Sequence, residues 1–93
     1  MEIIHIDGEN KGHIMLYALS TCVWCKKAKK ILDDLGVAYS YLYVDRLEGD
    51  ERVNTVAEVK NWNPACSFPT LVFHKEKCIV GSDEEKIREA IGL

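Results

Sequence analysis

Two spacings of apolar residues organise this chain. Residues 13–19 (His13-Ile14-Met15-Leu16-Tyr17-Ala18-Leu19) are almost continuously apolar, as in a strand buried on both faces. From residue 24 the period changes to that of a helix running to residue 35. Cys25, Ala28, Ile31, Leu32 and Leu35 share one face, lysines occupy the other, and Gly36 supplies a stop. Residues 38–44 are rich in aromatic and β-branched side chains and predict a second strand. A second helix is predicted over 49–61, with Val53, Val56, Ala57 and Val59 in its apolar stripe. A turn-rich segment, Asn63-Pro64-Ala65-Cys66-Ser67, leads into residues 68–73, which pair with 77–80 as a hairpin across 74–76. Ser82-Asp83-Glu84-Glu85 opens a last short helix ending near Ile91, with acidic residues where the helix dipole favours them.

The order is therefore strand, helix, strand, helix, hairpin, helix. A strand–helix–strand unit with parallel strands winds right-handed. An antiparallel hairpin added to it gives an α/β domain: a mixed four-stranded sheet flanked by three helices. One domain is expected over 1–93, with 1–12 an N-terminal addition to a core spanning 13–93.

Composition narrows the function classes. Ninety-three residues, 47% hydrophobic and 29% charged, suit one globular domain. A net charge of −3 argues against nucleic acid as a partner, because phosphate backbones are held by clustered Lys and Arg. The opening residues lack the basic leader and apolar run of a signal peptide, and nothing approaches the roughly 18 consecutive apolar residues of a membrane span. Four cysteines without an export signal point to a reducing compartment, where they are more often catalytic or metal-binding than bridged. A cytoplasmic monomer is the expectation.

Cys22 and Cys25 stand at the junction of the first strand and the first helix. Residues three apart on a helix have β-carbons roughly 5–6 Å apart. A slight tightening brings them near the ~3.8 Å of a disulfide. At a helix entrance the unpaired N–H groups and the dipole stabilise an anion, and the thiolate is the attacking species in disulfide exchange. Cys22 is thus the candidate nucleophile, Lys26 and Lys27 add favourable field, and Cys25 is the candidate resolving residue. Two blander readings stand beside this: a pair of inert buried thiols, or half a zinc site. Closed zinc sites take four ligands, typically a second C-x-x-C. Cys66 and Cys78, with eleven residues between them, do not form one.

Three segments together, Cys22-Val23-Trp24-Cys25, Phe68-Pro69-Thr70 and Val80-Gly81-Ser82-Asp83, make residues 13–93 resemble the glutaredoxin-like branch of the thioredoxin superfamily. The resemblance implies the thioredoxin fold and a thiol–disulfide oxidoreductase. It implies no bound organic cofactor, since electrons come from glutathione, another small thiol or a partner reductase. It implies a cis bond at Phe68–Pro69, turning the Phe68 backbone outward beside Cys22 to pair with an extended substrate. It also implies that Gly81, Ser82 and Asp83 hold the γ-glutamyl end of glutathione. Ser82 would donate from hydroxyl and amide, and Asp83 would accept from the ammonium.

The chain departs from the family pattern at several positions. Leu19 replaces a basic residue that pairs with a substrate carboxylate, Val80 replaces the first of two glycines, and Val23-Trp24 replaces Pro-Tyr. Lys26 can substitute for the missing cation, and Trp24 can form an apolar wall. A thiol other than glutathione, or a protein disulfide, therefore stays open as substrate. So do two further readings: a redoxin donating electrons to an enzyme such as ribonucleotide reductase, and a [2Fe–2S] carrier bridged by Cys22 from two chains.

Residues 2–7 look locally like half a hairpin with 13–19. In the resembling topology that strand is central and already paired, so 2–7 are expected at the sheet edge beside 38–44. Cys66 is placed near the active-site rim and Cys78 in the hairpin near Phe73, with no bridge between them. His5, His13 and His74 are scattered, and Trp62 is expected to pack the end of the second helix.

Overall fold

Five strands form one open sheet in a computed structural model that describes residues 3–92. The elements are β1 (Ile4–Ile6), β2 (Ile14–Ala18), α1 (Val23–Leu35), β3 (Tyr39–Tyr43), a 3-10 turn (Val44–Arg46), α2 (Gly49–Trp62), β4 (Thr70–Phe73), β5 (Lys77–Val80) and α3 (Glu84–Ile91). The sheet order is β1-β3-β2-β4-β5, with β2 and β3 parallel and the other pairs antiparallel. The continuously apolar β2 lies at the centre, and all five of its residues are buried. The expected four-stranded core is present, and the N-terminal segment lies where the edge placement put it. Ile4 stands opposite Tyr41 and Ile6 opposite Tyr39. Met1, Glu2 and Leu93, the ends of the expected domain and of the N-terminal segment, lie outside the described residues.

The segment after β1 is threaded tightly. Glu9 N–H donates to the Gly36 carbonyl at 2.8 Å, and Ala38 N–H donates to the Glu9 carbonyl at 2.9 Å. A β-carbon on Gly8 would fall 2.6 Å from the Gly36 oxygen, so only glycine permits this approach. Gly36 itself takes the left-handed conformation (φ 69°) that ends α1.

The sheet buries a separate cluster on each face. Ile14, Leu16, Ala18, Leu71 and Phe73 pack against Cys25, Ala28, Ile31 and Leu32 of α1 and Ile87 and Ile91 of α3. Met15, Tyr17, Leu42 and Val72 pack against Val59 of α2, with Trp62 beside them. The predicted stripe on α2 needs correction. Its buried residues are Thr55 and Val59, whereas Val53 is 67% exposed and Ala57 is also exposed. Successive residues turn by about 100°, so Val59 and Ala57 point to nearly opposite sides, and Val53 lies about 120° from Val59. Thr55 takes the position that a count of apolar residues passes over.

Candidate active site

β2 delivers the chain to the edge of the core at Ala18, and Leu19–Thr21 turn it into α1. Cys22 is the N-cap, with the extended backbone (φ −88°, ψ 119°) that the position requires. Its N–H donates to the Leu19 carbonyl at 3.2 Å, and its own carbonyl accepts from Lys26 N–H at 3.1 Å. Its sulfur accepts the Cys25 N–H at 3.2 Å. Sulfur thus occupies the place where Ser, Thr or Asp oxygen usually caps a helix.

Cys22 is half-buried and Cys25 is 2% exposed beneath it. Burial first, then the hydrogen bond its thiol makes to the Cys22 sulfur, push the Cys25 thiol up to about 12. A hydrogen bond from the Leu19 backbone pulls it down in part, and the charges of Cys22 and then Asp45 add smaller upward pushes. Cys25 is therefore a protonated reserve at neutral pH, and Cys22 is the sulfur that meets solvent. All four cysteines are free. Cys78 stands opposite Val72, one place from the expected Phe73 and on the hairpin's outer strand. Cys66 packs on the α2-side cluster with Leu19 and Phe68.

The residues between the cysteines face outward, Val23 at 71% and Trp24 at 60% exposure. Lys27 Nζ lies 5.5 Å over the Trp24 ring. Further along, Lys29 pairs with Asp33 at 3.0 Å and Lys30 with Asp34 at 2.8 Å, so their charge is answered within the helix. Lys26 is exposed one turn from Cys22 and makes no ion pair among the described residues.

The Phe68–Pro69 bond is cis. Pro69 is buried, and among the described residues neither the N–H nor the C=O of Phe68 meets a backbone partner. Cys22 and Phe68 both pack on the α1-side cluster. The Pro69 carbonyl accepts from Gly81 N–H at 2.9 Å, tying the 80–82 corner to the cis-proline turn. Asp83, rather than Ser82, caps α3, accepting the Lys86 N–H at 3.2 Å. One carboxylate oxygen of Asp83 is thereby engaged within the protein, and Ser82 stands half-buried just before the helix.

Two polar devices around the site escaped sequence reasoning. Asn63 Nδ2 donates to the Ser67 carbonyl and hydroxyl, both at 3.1 Å, and to Thr70 Oγ1 at 3.2 Å, while Thr70 donates to the Ser67 carbonyl at 2.7 Å. These bonds brace the loop before Pro69. On the other side Asp45 accepts from both the N–H and the hydroxyl of Ser20. Turn-forming residues at 63–67 hinted at the first; contacts across 25 residues left no local signal for the second. Among the described residues no group of three or more His, Cys, Asp or Glu side chains could hold a metal ion. A cavity of about 390 Å³ on the α2 side, floored by Met15, Tyr17, Leu42 and Val72, contains no cysteine.

The family model for glutaredoxin matches residues 14–79, a span that begins at β2 and runs past the dithiol and the cis-proline. The chain belongs to the glutaredoxin family. Its fold is the family's thioredoxin-like fold with one added strand, and the family's chemistry makes it a thiol–disulfide oxidoreductase. A glutaredoxin from Methanosarcina mazei Go1 is 53% identical, with a TM-score of 0.92 over 98% of this chain and 88% of that one. The methanoredoxin of Methanosarcina acetivorans is 52% identical, with a TM-score of 0.89 over 92% and 90% of the two chains. A glutaredoxin from Archaeoglobus fulgidus is 34% identical, with a TM-score of 0.81 over 86% of each. No curated protein matches the sequence.

Proposed function

We propose that this glutaredoxin reduces disulfides of proteins or small thiols through a dithiol cycle in the cytoplasm, as a monomer. Cys22, as thiolate, attacks one sulfur of the substrate disulfide. A Cys22–substrate bond forms, the substrate's S–S bond breaks, and the first substrate sulfur leaves as a thiolate. Cys25 then attacks the Cys22 sulfur and releases the second substrate sulfur, which takes up the proton Cys25 gives away. Two electrons have passed to the substrate, and the Cys22–Cys25 disulfide remains to be reduced by two equivalents of a thiol or by a reductase.

The observation that carries this reading is the Cys25 N–H aimed at the Cys22 sulfur at 3.2 Å, with the Cys25 sulfur buried directly behind. An accessible sulfur captures, and a shielded one acts only once a mixed disulfide is in place. Phe68 and Pro69 would line the substrate's extended backbone, Trp24 would give it an apolar wall, and Lys26 would attract its negative charge. Gly81, Ser82 and Asp83 would hold polar groups at its far end. Relatives called glutaredoxin and methanoredoxin, at 53% and 52% identity, support the same cycle.

The test is a panel of electron sources: glutathione with its reductase, other small thiols, and a thioredoxin reductase with NADPH. Turnover of a model disulfide with at least one source is expected, and which one sustains it identifies the recharging partner. No turnover with any of them, or turnover undiminished in Cys22→Ser, would overturn the reading.

A further inference from the structure

The turn that carries Cys22 is held from outside its own element. Ser20, two residues before the capping sulfur, gives both its N–H (2.9 Å) and its hydroxyl to the carboxylate of Asp45, in the 3-10 turn after β3. Residues 19–22 are thereby fastened to the end of the neighbouring parallel strand, and Leu19 in turn accepts the Cys22 N–H. We propose that Ser20 and Asp45 form a positioning device for the dithiol, one that fixes the Cys22 turn and sets a permanent negative charge beside that turn.

The charge has a defined consequence, resting on the dithiol reading above. Reducing the Cys22–Cys25 disulfide takes up two electrons and two protons, or one proton where one sulfur stays anionic. The disulfide is uncharged; the reduced pair carries the anion that attacks substrate. A fixed negative charge nearby disfavours that anion and leaves the disulfide untouched. Asp45 therefore tilts the couple toward disulfide and makes the reduced protein the stronger electron donor. Two observations agree. The hydrogen bond from the Ser20 hydroxyl holds the Asp45 carboxyl below the usual carboxylate range, so the charge is present at neutral pH. The same charge is the smallest of the influences that raise the Cys25 thiol, behind burial, the Cys22 hydrogen bond and the Cys22 charge.

Asp45→Asn separates charge from tether. The amide oxygen can still accept from Ser20 N–H and the amide NH₂ can donate to the hydroxyl, so the turn stays fastened while the charge disappears. Ser20→Ala does the reverse, losing one bond and keeping the charge. Both variants and the wild type would be equilibrated at pH 7 against mixtures of reduced and oxidised dithiothreitol, at low and high salt. The Cys22–Cys25 disulfide would be counted by mass after alkylation. Asp45→Asn should move the equilibrium about threefold toward the dithiol at low salt, and less at high salt, because Asp45 is exposed and its field is screened. Ser20→Ala should move it less than half as far.

A shift in Asp45→Asn below about 1.3-fold would overturn the proposal. So would a shift unaffected by salt, or one that Ser20→Ala reproduces in full, since each leaves only a structural tie. A wild-type chain that forms no Cys22–Cys25 disulfide under any mixture would sink the dithiol cycle itself, and the proposal with it.

Discussion

The first and last helices begin alike and do different work. In α1 the residue-22 sulfur accepts an N–H three residues on at 3.2 Å; in α3 the Asp83 carboxylate does the same, also at 3.2 Å. Around these matching caps the charges differ. The first turn of α3 contains Glu84 and Glu85, whereas that of α1 contains no acid. In α3 three carboxylates already use the positive end of the helix for the fold's own stability. In α1 that end is left to a half-buried sulfur, while Asp45 accepts from Ser20 just before it. An N-cap becomes a reactive centre when its acceptor is a sulfur, the first turn adds no competing charge, and a second sulfur waits beneath.

The sharpest break of this pairing is Cys22→Ser. Serine caps a helix at least as well as cysteine, so α1 should keep its stability while disulfide reduction falls on the order of 10³-fold or more. Turnover and urea midpoints measured on the same preparation check both halves. Lost activity accompanied by lost stability would mean the sulfur was needed for folding. The companion Cys25→Ser leaves capture intact and removes release. A mixed disulfide on Cys22 should then accumulate in nearly stoichiometric amount, seen by intact mass. A substitution that accumulates no adduct would assign resolution to another thiol.

At the other helix the balance should invert. Asp83→Ala deletes the α3 cap and should cost about 1 kcal/mol in denaturant unfolding. Cys22 chemistry should persist, because Asp83 is not part of the dithiol. If Asp83 also holds a substrate ammonium, KM should rise several-fold with kcat little changed. A fall in kcat with KM constant would place Asp83 in the chemistry and dissolve the contrast between the helices.

Much of this contrast was legible along the chain because its signals are local. The change from an unbroken apolar run to a 3.6-residue period placed Cys22 at a helix entrance, and four charged or polar residues after Val80–Gly81 marked the start of α3. The edge position of the N-terminal strand followed from the topology that the family resemblance implies, in which β2 has no free side; read locally, the segment looked like a hairpin partner of β2. What stayed hidden was tertiary. Thr55 is buried in α2 while Val53 is exposed, because the sheet presents its surface to one narrow row of that helix rather than to its apolar residues as such. Ser20 and Asp45 meet only once β2 and β3 lie side by side. The bracing by Asn63 and Thr70 likewise depends on how the loop folds back before Pro69.

The effect confined to alkaline pH concerns the proton under α1. In the reduced protein the Cys25 thiol is raised from its ordinary value near 9 to about 12, chiefly by burial. A group whose pKa is higher folded than unfolded stabilises the fold fully below the unfolded value and loses that contribution as pH climbs to the folded one. The Cys25 contribution should therefore be constant up to about pH 9 and decline between 9 and 12. Serine at this position has no proton to lose in that range. The stability gap between reduced wild type and reduced Cys25→Ser, from urea unfolding under a phosphine reductant, should accordingly narrow across that window. A gap that held flat from pH 8 to 11 would show that burial does not keep Cys25 protonated. The resolving sulfur would then be as ready to ionise as an ordinary thiol, and the division between an exposed sulfur that captures and a shielded one that waits would lose its physical basis.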